Sequence, residues 1–296
     1  MQYNLHFNYF KTYFEIPFLK SETKSIEKED LISVEKNNNL VIPNKLKQKT
    51  TSIEANLEKI SIYYKNLAYF EISKKGKKIE IKEFFNSESK PLFLSKFLNH
   101  VIPFALYQNK KLMVHASGVS KDKKGVLFIG QSGRGKSSLS ASLKGFNLIS
   151  EDSTSVNFKN NKCFVTSGFP IVKLTNEIAK HLNFKKKNKI PLPGDRLLRS
   201  YYQVNNLSPQ NIHIEKCYIL EWGKEFDIQL IRPKEFLANF ILSTYSAVPY
   251  NSCKASSAIL HSYAAKFLAT VPVYKLTRNK TNFFKDNREI ISHISI

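Results

Sequence analysis

The sequence predicts a layered α/β domain over residues 96–296, preceded by a smaller β-rich unit over residues 1–95. Three observations carry that reading. Residues 59–84, KISIYYKNLAYFEISKKGKKIEIKEF, alternate apolar and polar side chains as half-buried strands do. From residue 112 onward, short apolar runs such as VLFIG and FNLIS alternate with helix-patterned segments such as GKSSLSASLKG and NEIAKHLNF. The 296 residues, 42% hydrophobic and 12% aromatic, suffice to bury the core of one large domain or of a core domain with a companion.

The N-terminal stretch MQYNLHFNYFKTYFEIPFLK is aromatic but interrupted by polar residues. It lacks the apolar segment and small-residue cleavage site of a signal peptide. Residues 26–45, IEKEDLISVEKNNNLVIPNK, are polar and read as a variable surface connection. KKGKK (74–78) is placed as a hairpin turn, and LFLSKFLNHVIPFALYQN (92–109) has apolar residues at helical spacing, with Pro103 expected to kink it or start a turn. KLMVHASGVS is a strand leading into a turn, KDKKG a hairpin-like connection, and VLFIG a buried strand. Gly145 marks the end of the helix in GKSSLSASLKG, and FNLIS is the next buried strand. Residues 154–174 read as strands around the turn KNNK. CYILEWG (217–223) and PVYKLTRN (272–279) are also strand-like. PKEFLANFILSTYS (233–246), with Pro in its first turn, and SSAILHSYAAKFLATV are helices, and the C-terminal end is amphipathic.

With 46 basic against 24 acidic residues, the formal net charge is +22, a balance compatible with nucleic acid, an anionic membrane surface or an acidic partner. The basic residues are nevertheless scattered. The densest runs, KKGKK and FKKKNK, are short and read as solvated loops or strand ends, so nucleic acid is not the expected partner. The three cysteines, Cys163, Cys217 and Cys253, are widely spaced and form no pair of metal-site spacing, which fits a reducing cytoplasm. No apolar run approaches the ~20 residues that cross a bilayer. A cytoplasmic protein without a membrane span is the expectation, and homo-oligomerisation is left open.

The chemistry concentrates in FIGQSGRGKSSLSASLKGFNLISED. Gly130-Gln131-Ser132-Gly133-Arg134-Gly135-Lys136-Ser137 matches G-x-x-x-x-G-K-[ST] throughout, and Ser138 follows on the helix. Such glycines let successive main-chain amides point inward as an anion-binding nest. Lys136 can reach the β- and γ-phosphates, and the Ser137 hydroxyl can ligate Mg²⁺. A strand before and a helix after the loop are the context this motif requires. Glu151 and Asp152 close the following strand. Two adjacent acids there can be a solvated turn or a helix cap; this near the loop, a βαβ crossover would bring both to the phosphate end of the sheet. One could then help hold Mg²⁺ and the other take a proton from an attacking hydroxyl. His115, ending LMVH one strand earlier, reads either as packing or as a group orienting the base.

Together the strand with His115-Ala-Ser-Gly-Val, the loop, the short helix with Gly145, the apolar strand and the acid pair resemble the HPr kinase/phosphorylase-related kinases. TSGFPIVKLTNE and VPVYKLTRN also resemble segments of the smaller HPr-kinase-like proteins. The resemblance spans roughly residues 112–276 and is dense over 115–174. It implies a P-loop kinase with a mixed sheet related to phosphoenolpyruvate carboxykinase, using ATP and Mg²⁺ on a hydroxyl acceptor. By position it implies Lys136 and Ser137 as phosphate and Mg²⁺ residues, Glu151 as the proton-handling acid, Asp152 as the metal-linked acid, and His115 as support for the base. The chain departs from the family in its glutamate at the first acid and in Ala116, where the HPr enzymes carry glycine. Arg196 and Arg199 of PGDRLLRSYY read as transition-state or acceptor-phosphate contacts, or as part of a surface loop.

The expected activity is transfer of the γ-phosphoryl group of ATP to a seryl side chain of a peptide or protein, or to a small hydroxylated metabolite. A nucleotide-binding regulator or assembly factor that transfers nothing is the alternative. No Asn-Lys-x-Asp guanine signature occurs, which disfavours GTP.

Overall fold

The computed structural model describes residues 1–5, 8–19, 21, 31–56, 58–193, 198–232, 235–237, 240, 243, 254–281 and 284–294. It is a mixed α/β structure with two compact units, one built mainly from Met1–Met113, the other from Val114–Ile190 and most of the described residues that follow.

In the first unit the strands are β1 (Gln2–Leu5), β2 (Asn8–Thr12), β3 (Leu31–Lys36), β4 (Thr51–Ala55), β5 (Lys59–Tyr64), β6 (Ala68–Ser73) and β7 (Lys78–Glu83), in the order β1-β2-β3-β7-β6-β5-β4. β3 pairs in parallel with β2 and β7, while the β4–β7 run is an antiparallel meander. The strands expected across 59–84 are therefore present, and the turn between β6 and β7 carries Gly76 at φ 64°. The expectation for residues 26–45 is corrected. Leu31–Lys36 is an inner strand whose Ile32 and Val34 are buried, because alternation in so short a run is enough when both neighbours supply ladder partners.

After helix α1 (Asn44–Lys47), the helical run expected near 92–109 resolves into α2 (Lys90–Lys96), a π-helical turn Phe97–Val101 and α3 (Ile102–Gln108). Pro103 offers no N–H to a preceding carbonyl, and the wider turn before it absorbs that loss without breaking the axis. Phe93 stacks on Phe70 of β6 at 5.8 Å between ring centres, so the helices cover one sheet face. This helical run, which a division at residue 95 would split, belongs to the first unit.

The second unit begins as the chain leaves β8 (Leu112–Val114). Its strands are β9 (Ala116–Lys121), β10 (Lys124–Ile129), β11 (Asn147–Ser150), β12 (Thr154–Lys159), β13 (Lys162–Val165), β14 (Ile171–Thr175), β15 (Lys189–Ile190), β16 (Arg199–Gln203), β17 (Ile212–Gly223), β18 (Asp227–Leu230) and β19 (Val273–Asn279). The larger sheet runs β11-β9-β10-β17, and twelve-residue β17 then pairs with β13 along its start and β19 along its end. β10 is parallel to β17 and antiparallel to β9, so this sheet too is mixed. A small sheet, β14-β16-β15, stands apart from it.

Helix α4 (Lys136–Ser142) crosses from β10 to β11, passing over β9. Leu139 packs with Phe128, Leu220, Leu276, Ile290 and Ile294, the last two from α7 (Asn287–Ile294), the amphipathic end expected from sequence. α5 (Asn176–His181) follows β14, capped by the Thr175 hydroxyl, which accepts from the Ile178 N–H. α6 spans Lys254–Thr270. Much of the helix expected over 233–246 lies outside the described residues, as does Cys253; Cys163 and Cys217 are buried free thiols. Among the described residues no helix is long and apolar enough to cross a membrane.

Candidate functional site

β10 is apolar and buried to Ile129, and the chain turns at once at its end. Gly130, Gly133 and Gly135 have φ of 138°, 85° and 79°, a region side chains rarely enter. Gly135 is required twice over. A Cβ there would lie 3.0 Å from Arg278 Nη2 and 3.0 Å from the Trp222 indole.

Lys136 opens α4 with its side chain buried, and its ammonium donates to the carbonyls of Gly130 at 2.8 Å and Gln131 at 3.3 Å. The cation is thus folded back over its own loop, where an incoming anion could recruit it. Burial lowers its pKa to about 8; Glu151 opposes the shift, and Arg199 and Lys173 add to it.

The two acids do not act as a block. The Ser153 N–H donates to the Glu151 carbonyl at 2.8 Å, closing a three-residue turn with Asp152 at its centre, φ 64°. The adjacent carboxylates therefore diverge. Glu151 is buried and its Oε1 accepts from Ser137 Oγ at 2.5 Å. Asp152 faces a cleft of about 330 Å³, with Oδ1 3.3 Å from His115 Nε2 and Oδ2 paired with the Lys173 ammonium.

Buried hydroxyls fix this turn from beneath. Ser117 Oγ donates to Ser140 Oγ of α4 at 2.6 Å and contacts the Ser150 carbonyl at 3.2 Å; the Ser150 and Thr154 hydroxyls share a bond, and Thr154 reaches the Ala116 carbonyl. β9, β11, β12 and α4 are thereby tied together at the acid pair.

His115 sits between β8 and β9, its main-chain N–H donating to the Ser243 carbonyl at 2.5 Å. Burial, reinforced by the charges of Lys136, Lys173 and Arg199, pushes its pKa down to about 3. That shift favours the neutral imidazole beside Asp152, with 38% of the His115 side chain exposed.

Of the residues singled out from sequence, His115, Ser132, Gly133, Gly135, Lys136, Ser137, Ser138 and Asp152 line the one cleft. Gly130, Gln131 and Arg134 give their carbonyls to side chains, the first two to Lys136 and the third to Arg278. Arg199 reaches the cleft from β16; Arg196 lies outside the described residues. Three residues were not anticipated. Lys173 is a buried cation within the apolar run FPIVKL, also set over the Tyr201 ring at 5.2 Å. Trp222 and Arg278 contact the glycine loop from β17 and β19. A lysine inside a buried strand and the chain's single tryptophan were the signals available.

No protein-family model matches the sequence, and no curated protein matches it. Among solved structures, the chain is similar to the HPr(Ser) kinase/phosphatase from Coxiella burnetii, at 14% sequence identity and a TM-score of 0.31. That match covers 61% of this chain and 95% of the other, a distant likeness.

Proposed function

We propose that the chain is an ATP-dependent kinase that transfers the γ-phosphoryl group to a hydroxyl acceptor, a seryl side chain or a small hydroxylated metabolite. The observation that carries this reading is the convergence of Ser132–Ser138, Asp152 and His115 at one cleft, with Glu151 bonded behind it to Ser137, although the acids follow a separate strand. The loop and Lys136 would hold the phosphates, and Arg199 and Lys173 add positive charge to the same cleft, where negative charge spreads during transfer.

The residues fit Mg²⁺. A hydroxyl and a carboxylate meet at Ser137 and Glu151, a second carboxylate faces the cleft, and this ion keeps waters and phosphate oxygens as its other ligands. When bound, it would neutralise charge on the phosphoryl oxygens. The contacts favour a division of labour opposite to the one the resemblance implies. Glu151, bonded to Ser137, belongs on the metal side. Asp152, in the open cleft against neutral His115, is the acid an acceptor hydroxyl can reach, and would take its proton.

One observation favours the second reading, a nucleotide-binding regulator that transfers nothing: Asp152 is already engaged by Lys173. ADP formation, measured with and without hydroxyl acceptors, separates the two. Acceptor-dependent ADP supports the kinase; tight ATP binding with no transfer to any acceptor supports the regulator. A cytoplasmic setting belongs to the same proposal.

A further inference from the structure

The glycine loop is held by two residues that arrive far later in the chain, Trp222, which also lines the cleft, and Arg278. β17 and β19 run in parallel with Trp222 and Arg278 directly opposite one another in register. Trp222 Nε1–H donates to the Gly133 carbonyl at 3.0 Å, and Arg278 Nη2–H donates to the Arg134 carbonyl at 2.9 Å. The guanidinium lies 4.9 Å from the centre of the indole ring, so the two side chains form one plate against the loop. Arg278 is fully buried. Extension of β17 beyond Ile219, the last partner of β10, is what brings Trp222 level with the loop.

A trans peptide points its C=O and N–H in opposite directions, so fixing one fixes the other. With the Gly133 carbonyl on Trp222, the Arg134 N–H turns inward and donates to the Gln131 carbonyl at 3.3 Å, closing the loop. With the Arg134 carbonyl on Arg278, the Gly135 N–H is turned away from Arg278, and Gly135 lines the cleft. The approach is so close that a Cβ at Gly135 would press on both side chains at 3.0 Å.

We propose that Trp222 and Arg278 are positioning residues for the phosphate loop, holding two successive peptide planes so that the Gly135 amide is presented to a phosphate before one arrives. This rests on the reading of the loop as a phosphate site. Preorganised amides bind anions without reorganising at the moment of binding, and a loop released from the plate would have to order itself each time.

The test uses the full chain and two probes, Mg·ATP and inorganic tripolyphosphate, which has no base. Trp222→Phe keeps an aromatic ring, smaller than the indole, and removes the N–H; Arg278→Gln keeps a donor and removes the charge; Arg278→Met removes both. Affinities are measured by calorimetry, with the melting temperature of each ligand-free protein. Trp222→Phe is expected to weaken both probes by the same factor, about 3- to 10-fold, the usual consequence of one lost hydrogen bond. Its melting temperature should change little. Arg278→Gln should retain more affinity than Arg278→Met, a rescue that mere packing would not produce. If Arg278→Met fails to fold, Trp222→Phe still decides. Unchanged tripolyphosphate affinity in Trp222→Phe overturns the proposal, and a loss confined to ATP assigns Trp222 to the base instead. Wild-type protein that binds neither probe overturns the phosphate-site reading, and the brace with it.

Discussion

Ser137 and Glu151, fourteen positions apart in sequence, share a 2.5 Å hydrogen bond between the first turn of α4 and the end of β11. The next residue, Asp152, turns the other way, toward His115 and Lys173. One turn thus separates two carboxylates into two environments, and the experiments that follow exploit the separation.

The acid pair is tested first. Glu151→Gln should weaken apparent Mg²⁺ affinity by roughly tenfold or more through the loss of a charged ligand position. Asp152→Asn should leave Mg·ATP binding within a few-fold while single-turnover transfer falls by ~10²–10⁴, toward the low end because the transition state of phosphoryl transfer is loose. The Asn variant also deprives Lys173 of its carboxylate, so melting is recorded on the same samples. A large transfer loss in Glu151→Gln with intact metal affinity would restore the opposite assignment.

Lys136→Ala should lower ATP affinity by about 10- to 100-fold, as expected for a charge-assisted bond to phosphate, and lower transfer with it. The pH response has a definite sign. Unliganded Lys136 titrates near 8, while bound phosphate would hold it charged, so affinity should fall as pH rises through about 8 and binding should take up a proton. Calorimetry in buffers of different ionisation enthalpy reads that proton directly; no uptake near pH 8 would contradict the proposed contact.

His115 predicts the shape of acid destabilisation. In the unfolded chain it protonates near 6.5, whereas in the fold it stays neutral to about 3. Between those values the unfolded state binds a proton that the native state does not, so the His115 contribution weakens stability as pH falls through that window. Denaturant midpoints of His115→Asn should therefore drop less than wild type between pH 7 and 4. Parallel midpoints would mean that the histidine titrates alike in the folded and unfolded chains. Transfer should show no histidine inflection in the same range.

Gly135→Ala combines a left-handed φ with a tight 3.0 Å approach to the Arg278 and Trp222 side chains. A cost of about 1–3 kcal/mol in stability is expected, with a larger loss in phosphate affinity than Gly133→Ala. At Gly133 a Cβ would meet nothing within 4 Å. Equal behaviour of the two variants in binding would argue against a tightly packed loop.

What could be read in advance follows a physical divide. The loop, α4, β10, β11 and the β5–β7 meander were legible because local periodicity and glycine placement decide them. β3 was missed because its burial depends on neighbours distant in sequence. The acids were found by their nearness to the loop, yet their divergence depends on a positive φ at Asp152, which aspartate tolerates better than most residues but adopts only where the fold requires it. Lys173, Trp222 and Arg278 belong to strands whose register against the loop exists only in the folded sheet. The local signals, a lysine in an apolar run and a single tryptophan, did not say what those side chains would contact.

The contacts of the glycine loop with Trp222 and Arg278 span 89 and 144 positions of sequence. Contacts that distant close late, because the intervening chain must order first. During synthesis, the loop, α4 and both acids leave the ribosome well before Trp222 and Arg278 exist. Domains mature in the order their partners emerge. A nascent chain ending short of β19 would carry the complete glycine motif and Trp222 yet lack Arg278, so the second of the two loop contacts forms only once the last strand of the sheet has been made.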